Sequence, residues 1–188
     1  LGLINTLIGT LLVASGTATL NQWMERAWDA QMRRTASRPL PSGRLTSWEA
    51  LIFGILLSVA GGLYLLLAVN ELSALLAVST LLSYLLIYTP LKRKTPICTM
   101  LGAFPGAMPT LIGWAGASAH ISREAWFLFA ILFLWQFPHF LAIALMYRDD
   151  YSRAGYRMLP AFDEDARFTR AEILGFAVIL VIVTMLPI

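Results

Sequence analysis

Charge is scarce in this chain. Asp, Glu, Lys and Arg make up only 13% of its 188 residues, against 58% hydrophobic residues and a mean hydropathy of +0.69. A soluble domain is about a quarter charged, so an ordinary soluble globule is excluded. Disorder is excluded as well, because disordered chains are polar and charge-rich. Cysteine is nearly absent. The single Cys98 excludes a disulfide framework and a cysteine-based metal cluster, and its apolar surroundings predict inert packing.

Long uncharged runs are what the chain does have. Residues 1–24, 50–70, 72–91, 95–122, 125–147 and 173–188 carry no Asp, Glu, Lys or Arg. About 20 apolar residues as helix cross a bilayer core, so the runs predict six spanning helices in an all-α transmembrane bundle. Leu1 and Ile188 both lie inside apolar runs. That predicts one transmembrane domain over residues 1–188, truncated at both ends.

Thirteen of the fourteen Lys and Arg residues fall in three loops, 21–49, 92–94 and 148–172; only Arg123 lies on the other side. The positive-inside rule places these loops in the cytoplasm or its equivalent. Nucleic acid is a poor partner for cations set between membrane spans; the lipid bilayer is the expected one.

The same loops carry acids at helix ends, where ionisable groups are costly and point to function. Asn21, Glu25 and Asp29 are spaced i, i+4, i+8. They drift about 40° per step and so share one helical face. Oxygen-only donors suit a hard cation such as Mg²⁺. The alternative is a solvated helix end with Glu25 paired to an arginine. Beyond it, Pro39 and Pro41 end the helix, and the loop presents Arg34, Arg38 and Arg44. Arginine forks suit phosphate oxygens; lipid headgroups are the other destination. Thr46 or Ser47 is placed to cap the next helix.

Three further segments carry polar chemistry. Tyr88-Thr89-Pro90-Leu91-Lys92-Arg93-Lys94 ends in three cations, which suit either anionic lipid or a diphosphate opposite the acidic strip. The stretch Gly102 to Gly116, with Pro105 and Pro109, predicts a bent helix that lines a substrate cavity, or a kinked one that packs closely on a neighbour. Trp135-Gln136-Phe137-Pro138-His139-Phe140 precedes Arg148, Asp149 and Asp150, a second acidic site at the membrane face. His120 has no assigned role.

At these residues the chain resembles the UbiA superfamily of intramembrane prenyltransferases, and within it the haem O synthase branch. Asn21-x-x-x-Glu25-x-x-x-Asp29 resembles the superfamily's first aspartate-rich motif. Met32-Arg33-Arg34-Thr35 with Arg38-Pro39-Leu40-Pro41 resembles the haem branch. So do Tyr88 to Arg93, the Gly/Pro run, Trp135 to Phe140, and Asp150-Tyr151 followed by Gly155 to Pro160. Glu25 stands where many members have Asp, and the second motif is short. The family has about nine spans, so six visible spans fit a truncated chain.

The resemblance implies transfer of a farnesyl group from farnesyl diphosphate to a vinyl group of haem b, giving haem O. It implies Mg²⁺ held by Asn21, Glu25, Asp29, Asp149 and Asp150. Asn21, Glu25, Asp29, Asp150 and Lys92 would be catalytic. Arg34, Arg38, Lys92, Arg93, His139 and Arg148 would bind substrates, with His139 near haem iron or a propionate. It also implies a bacterial plasma membrane or a mitochondrial inner membrane, with the site on the cytoplasmic or matrix side. Haem-copper oxidase assembly or haem A synthase are possible contacts. The alternatives are prenyl transfer to an aromatic quinone precursor and a non-catalytic haem carrier or transporter.

Overall fold

The computed structural model describes residues 1–186, so the last two residues of the sixth expected span lie outside the described residues. The fold is all helical, with no strand among the described residues. The order is α1 Gly2–Asp29, α2 Ser47–Ala68, α3 Glu71–Ser83, a π-helical turn Tyr84–Tyr88, α4 Thr89–Leu91, α5 Cys98–Ser118, α6 Arg123–Met146, α7 Arg148–Arg153, a 3₁₀ turn Leu159–Ala161, and α8 Arg167–Thr184. Six helical stretches therefore stand where six spans are expected.

Four of them are long and apolar enough to cross a membrane: Gly2–Asp29, Ser47–Ala68, Glu71–Leu91 and Arg123–Met146. The remaining two depart from the expectation for compositional reasons. Helix α5 carries Pro105, Pro109 and several glycines, which lower its hydropathy; α8 begins with Arg167, Arg170 and Glu172. The burial pattern is that of a chain solvated by lipid. Leu7, Leu11, Phe53, Leu56 and Leu67 face outward, while small or aliphatic side chains such as Ala77, Ala107, Leu111 and Ala115 form the core with Val13 and Leu65.

Local chemistry sets the helix ends. Thr46 and Glu49 form a capping box: the Glu49 N–H donates to Thr46 Oγ1 at 3.2 Å, and the Thr46 N–H donates to Glu49 Oε2 at 2.8 Å. Asn70 caps α3 by accepting the Ser73 N–H, and its amide donates to the Ala115 carbonyl of α5 at 2.8 Å. Helices α1 and α2 approach through glycine. A Cβ on Gly16 would lie 2.7 Å from the Ser58 nitrogen and 2.9 Å from the Gly54 carbonyl; one on Gly61 would lie 2.7 Å from the Val13 nitrogen. Such close backbone contact replaces the hydrophobic drive that lipid does not supply between helices.

Further pairings α2–α3, α3–α5, α5–α6 and α6–α8 complete the bundle. The ends of α1, α4 and α7 and the loop after α7 thereby gather at one end of it.

Candidate active site

The last turns of α1 carry the acidic strip. Asn21, Glu25 and Asp29 are 8%, 5% and 1% exposed, which is unusual for carboxylates unless they are paired. Both are paired. Lys92 Nζ lies 3.1 and 3.0 Å from the two Glu25 oxygens, and Arg38 Nη1 lies 2.8 Å from Asp29 Oδ2. Asn21 donates to Thr89 Oγ1 at 3.0 Å. The solvated-helix-end alternative does not hold: the strip is buried, and Glu25 pairs with Lys92 rather than with an arginine.

A π-helical turn brings α4 to this strip. Pro90 has no N–H to give to the turn before it, and the helix widens just ahead of it over Tyr84–Tyr88. The Tyr84 carbonyl accepts both the N–H and the hydroxyl of Thr89. Tyr84 and Tyr88 then wall in the Lys92 ammonium, which lies 4.6 Å from the Tyr88 ring centroid and 5.8 Å from that of Tyr84.

The loop after α7 closes the site from the other side. Gly155 adopts φ +70°, a turn that glycine makes at no steric cost. The Tyr156 hydroxyl donates to Glu25 Oε1 at 2.9 Å, and the Arg157 N–H donates to the Lys92 carbonyl at 2.9 Å. Burial, reinforced by the Glu25 carboxylate, pushes the Tyr156 phenol well above its ordinary value. Tyr156 therefore stays protonated and able to donate.

Asn21, Glu25, Asp29, Arg34, Arg38 and Lys92 line one cavity of about 230 Å³, together with Tyr84, Tyr88, Tyr151 and Tyr156. A second, apolar cavity of about 270 Å³ lies between α1, α3 and α5. Pro105 and Pro109 line it, as do Thr10, Val13 and Ile112, and Tyr84 borders both cavities.

The other expected site residues lie elsewhere. Asp149 and Asp150 line a neighbouring polar cleft with Arg33 and Arg153; only Arg34 borders both spaces. Asp150 accepts the Arg34 backbone N–H at 3.1 Å and pairs with Arg153. The Arg34 N–H first, and the Arg153 charge after it, hold the Asp150 carboxyl below its ordinary value. The four carboxylates thus divide between two spaces. Among the described residues no group of three or more His, Cys, Asp or Glu is gathered for a metal ion.

Arg93 turns away from the cavity, its guanidinium 4.3 Å from the Trp28 ring centroid. His139 is exposed and stacks on Trp135 at 4.4 Å. Arg148 donates to the Glu164 carbonyl at 2.9 Å. Cys98 is fully buried, as inert packing requires. The four tyrosines are the residues that sequence reasoning missed. For two of them a signal exists: Tyr84, Tyr88 and Lys92 repeat the four-residue spacing of the acidic strip.

The UbiA prenyltransferase family model matches residues 1–188. The chain is 56% identical over 187 residues to a protoheme IX farnesyltransferase of Solibacter usitatus, covering 100% of this chain and 64% of that protein. It is 49% identical to the Koribacter versatilis protoheme IX farnesyltransferase, covering 98% of this chain and 60% of that protein. A mitochondrial protoheme IX farnesyltransferase of Arabidopsis thaliana is 43% identical, with 88% and 38% covered. The chain therefore spans under two thirds of the length of these relatives. A solved structure of a UbiA homolog from Archaeoglobus fulgidus, bound to GPP and Mg²⁺, superposes with TM-score 0.73 at 18% identity, covering 97% of this chain and 64% of that one. That identity speaks for the fold alone. With a whole-chain family match and a polar pocket walled by helix ends of a membrane bundle, the chain belongs to the UbiA prenyltransferase family.

Proposed function

We propose that the protein carrying this chain transfers the farnesyl group of farnesyl diphosphate to a vinyl group of haem b, giving haem O. One observation carries this: paired carboxylates and fixed cations line a single cavity that shares Tyr84 with an apolar one. Such a site suits a ligand with an anionic head and a hydrocarbon tail. The names of the relatives supply the acceptor.

The donor set fits Mg²⁺. Asn21, Glu25 and Asp29 offer oxygen only, and Asn21 Oδ1 and Asp29 Oδ1 accept no hydrogen bond from the described residues. Mg²⁺, when bound by these residues, supplies charge neutralisation for the diphosphate. Asp150, across Arg34, is the candidate for a further ligand. Lys92, Arg38 and Arg34 hold phosphate oxygens and stabilise the negative charge that builds as the bond from farnesyl C1 to oxygen breaks. That electron pair leaves with the diphosphate. The vinyl π electrons form the new C–C bond, and water quenches the resulting cation with loss of a proton. The Tyr84 and Tyr88 rings, already gathered round a cation, suit the allylic cation too. The apolar cavity shelters the tail and keeps water from the cation until the acceptor reacts. The excess of Lys and Arg on that side supports a site on the cytoplasmic face of a bacterial plasma membrane, or on the matrix face in a mitochondrion. The product would pass to haem A synthase or haem-copper oxidase assembly.

The test incubates the purified full-length protein with Mg²⁺, farnesyl diphosphate and either protohaem or 4-hydroxybenzoate. Mass spectrometry is expected to find the isoprenoid on protohaem. Label on 4-hydroxybenzoate alone moves the assignment to a quinone-precursor enzyme, and label on neither removes it.

A further inference from the structure

Lys92 and Arg93 are neighbours that face different spaces. Lys92 enters the cavity, whereas Arg93 lines an outer groove of about 610 Å³ with Trp23, Arg26, Trp28, Pro90 and Lys94. We propose that this groove binds the phosphate of an anionic phospholipid headgroup.

Charge is the first support. No carboxylate lines the groove. Among the described residues, Arg26, Arg93 and Lys94 have no carboxylate partner within 4.0 Å. Three exposed cations with no internal counter-ion leave the groove positively charged, which suits an anionic ligand.

Preorganisation is the second. The Arg26 guanidinium lies 5.2 Å from the Trp23 ring centroid, and its Nη1 donates to the Trp23 carbonyl at 2.6 Å. Arg93 lies over Trp28. Two guanidiniums held by indoles lose less freedom on meeting a phosphate than free side chains do. Position is the third. The groove sits where α1 leaves its uncharged run, at the depth where Trp rings meet headgroups. Pro90 and the two indoles offer apolar surface for the start of the acyl chains.

The groove also backs onto the candidate active site. Its wall residue Thr89 accepts the Asn21 amide, Trp28 precedes Asp29, and Arg93 follows Lys92. A lipid seated there braces both segments that carry the acidic strip and its cation.

The same chemistry would hold a free phosphate, so the experiment separates the two sources. Native mass spectrometry of the full-length protein follows retention of phosphatidylglycerol and phosphatidylcholine. Wild type is expected to retain phosphatidylglycerol preferentially, with inorganic phosphate unable to displace it. The pair Arg26→Gln with Lys94→Gln is expected to weaken that retention at least about tenfold, and Arg26→Lys with Lys94→Arg to preserve it. Equal retention of both lipids, unchanged retention in the Gln pair, equal loss in the charge-keeping pair, or displacement by inorganic phosphate each overturns the proposal. A photoactivatable phosphatidylglycerol in phosphatidylcholine vesicles decides the matter without variants. Crosslinks to peptides holding residues 23–28 and 90–94 support the site, and crosslinks only elsewhere reject it. None of these readouts depends on prenyl transfer.

Discussion

Lys92 Nζ bridges the two carboxylate oxygens of Glu25 at 3.1 and 3.0 Å, joining two buried residues 67 positions apart. Removing one member of a buried pair leaves an uncompensated charge, at a cost of about 3–5 kcal/mol. Lys92→Ala is therefore expected to lower the unfolding temperature in detergent and to weaken farnesyl diphosphate binding, while Lys92→Arg keeps most of the stability. A Lys92→Ala protein as stable as wild type would mean that the pair is not closed in the membrane-embedded protein.

Asp29 is 1% exposed and holds Arg38. Asp29→Asn preserves its shape and removes the charge on which both the Mg²⁺ and the Arg38 assignments depend. Farnesyl transfer is expected to fall by about a hundredfold or more, with expression intact and with the residual rate less responsive to Mg²⁺. Wild-type turnover in this variant would reject Asp29 as a metal ligand.

Tyr156→Phe tests a smaller contribution. It deletes one hydrogen bond to the Glu25 carboxylate and keeps the ring that packs with Met32 and Ala154. Hydrogen bonds to charged groups contribute about 1.5–3 kcal/mol. The variant is expected to fold, to melt at a lower temperature, and to lose less activity than Asp29→Asn. The ordering of the two activities is the measurement that decides.

How much of this was legible depends on distance along the chain. The acidic strip was, because four-residue spacing inside one helix determines a common face before any tertiary contact forms. The cap of α2 was legible to within one residue, as Thr46 or Ser47, for the same local reason. Which of Lys92 and Arg93 enters the cavity was not, since the partner that selects Lys92 is Glu25, 67 positions away. Nor was Tyr156, which reaches Glu25 across 131 positions through a glycine turn. Nor was the place of Asp150 relative to the acidic strip. It sits in an adjoining cleft because the Arg34 backbone and Arg153 hold it there.

The Asp150 carboxyl predicts a response to acid. Its folded value lies below the ordinary 3.8, chiefly through the Arg34 N–H and then Arg153. A depressed carboxyl stabilises the fold fully above its unfolded value and loses that contribution as pH falls through the folded one. Melting temperature in detergent is expected to drop on acidification below about pH 4, and to drop less in Asp150→Asn. Identical pH profiles for the two proteins would count against the contact.

The α1–α2 seam leaves no room for a methyl group at Gly16. Gly16→Ala is expected to destabilise the protein by about 1–3 kcal/mol through overpacking, read as a lower melting temperature. Gly113→Ala, with nothing within 4 Å of the added atom, is the control that should melt like wild type.

The wide turn at Tyr84–Tyr88 has a consequence for chain length. Losing a residue from a regular helix swings everything beyond it by about 100°. A π-helical turn holds one residue more than α geometry requires, so this stretch carries slack that the other helices lack. A chain shortened by one residue here can close into ordinary helix with its ammonium still directed at Glu25. Shortening at this point would therefore test the wide turn itself, apart from the cation that follows it.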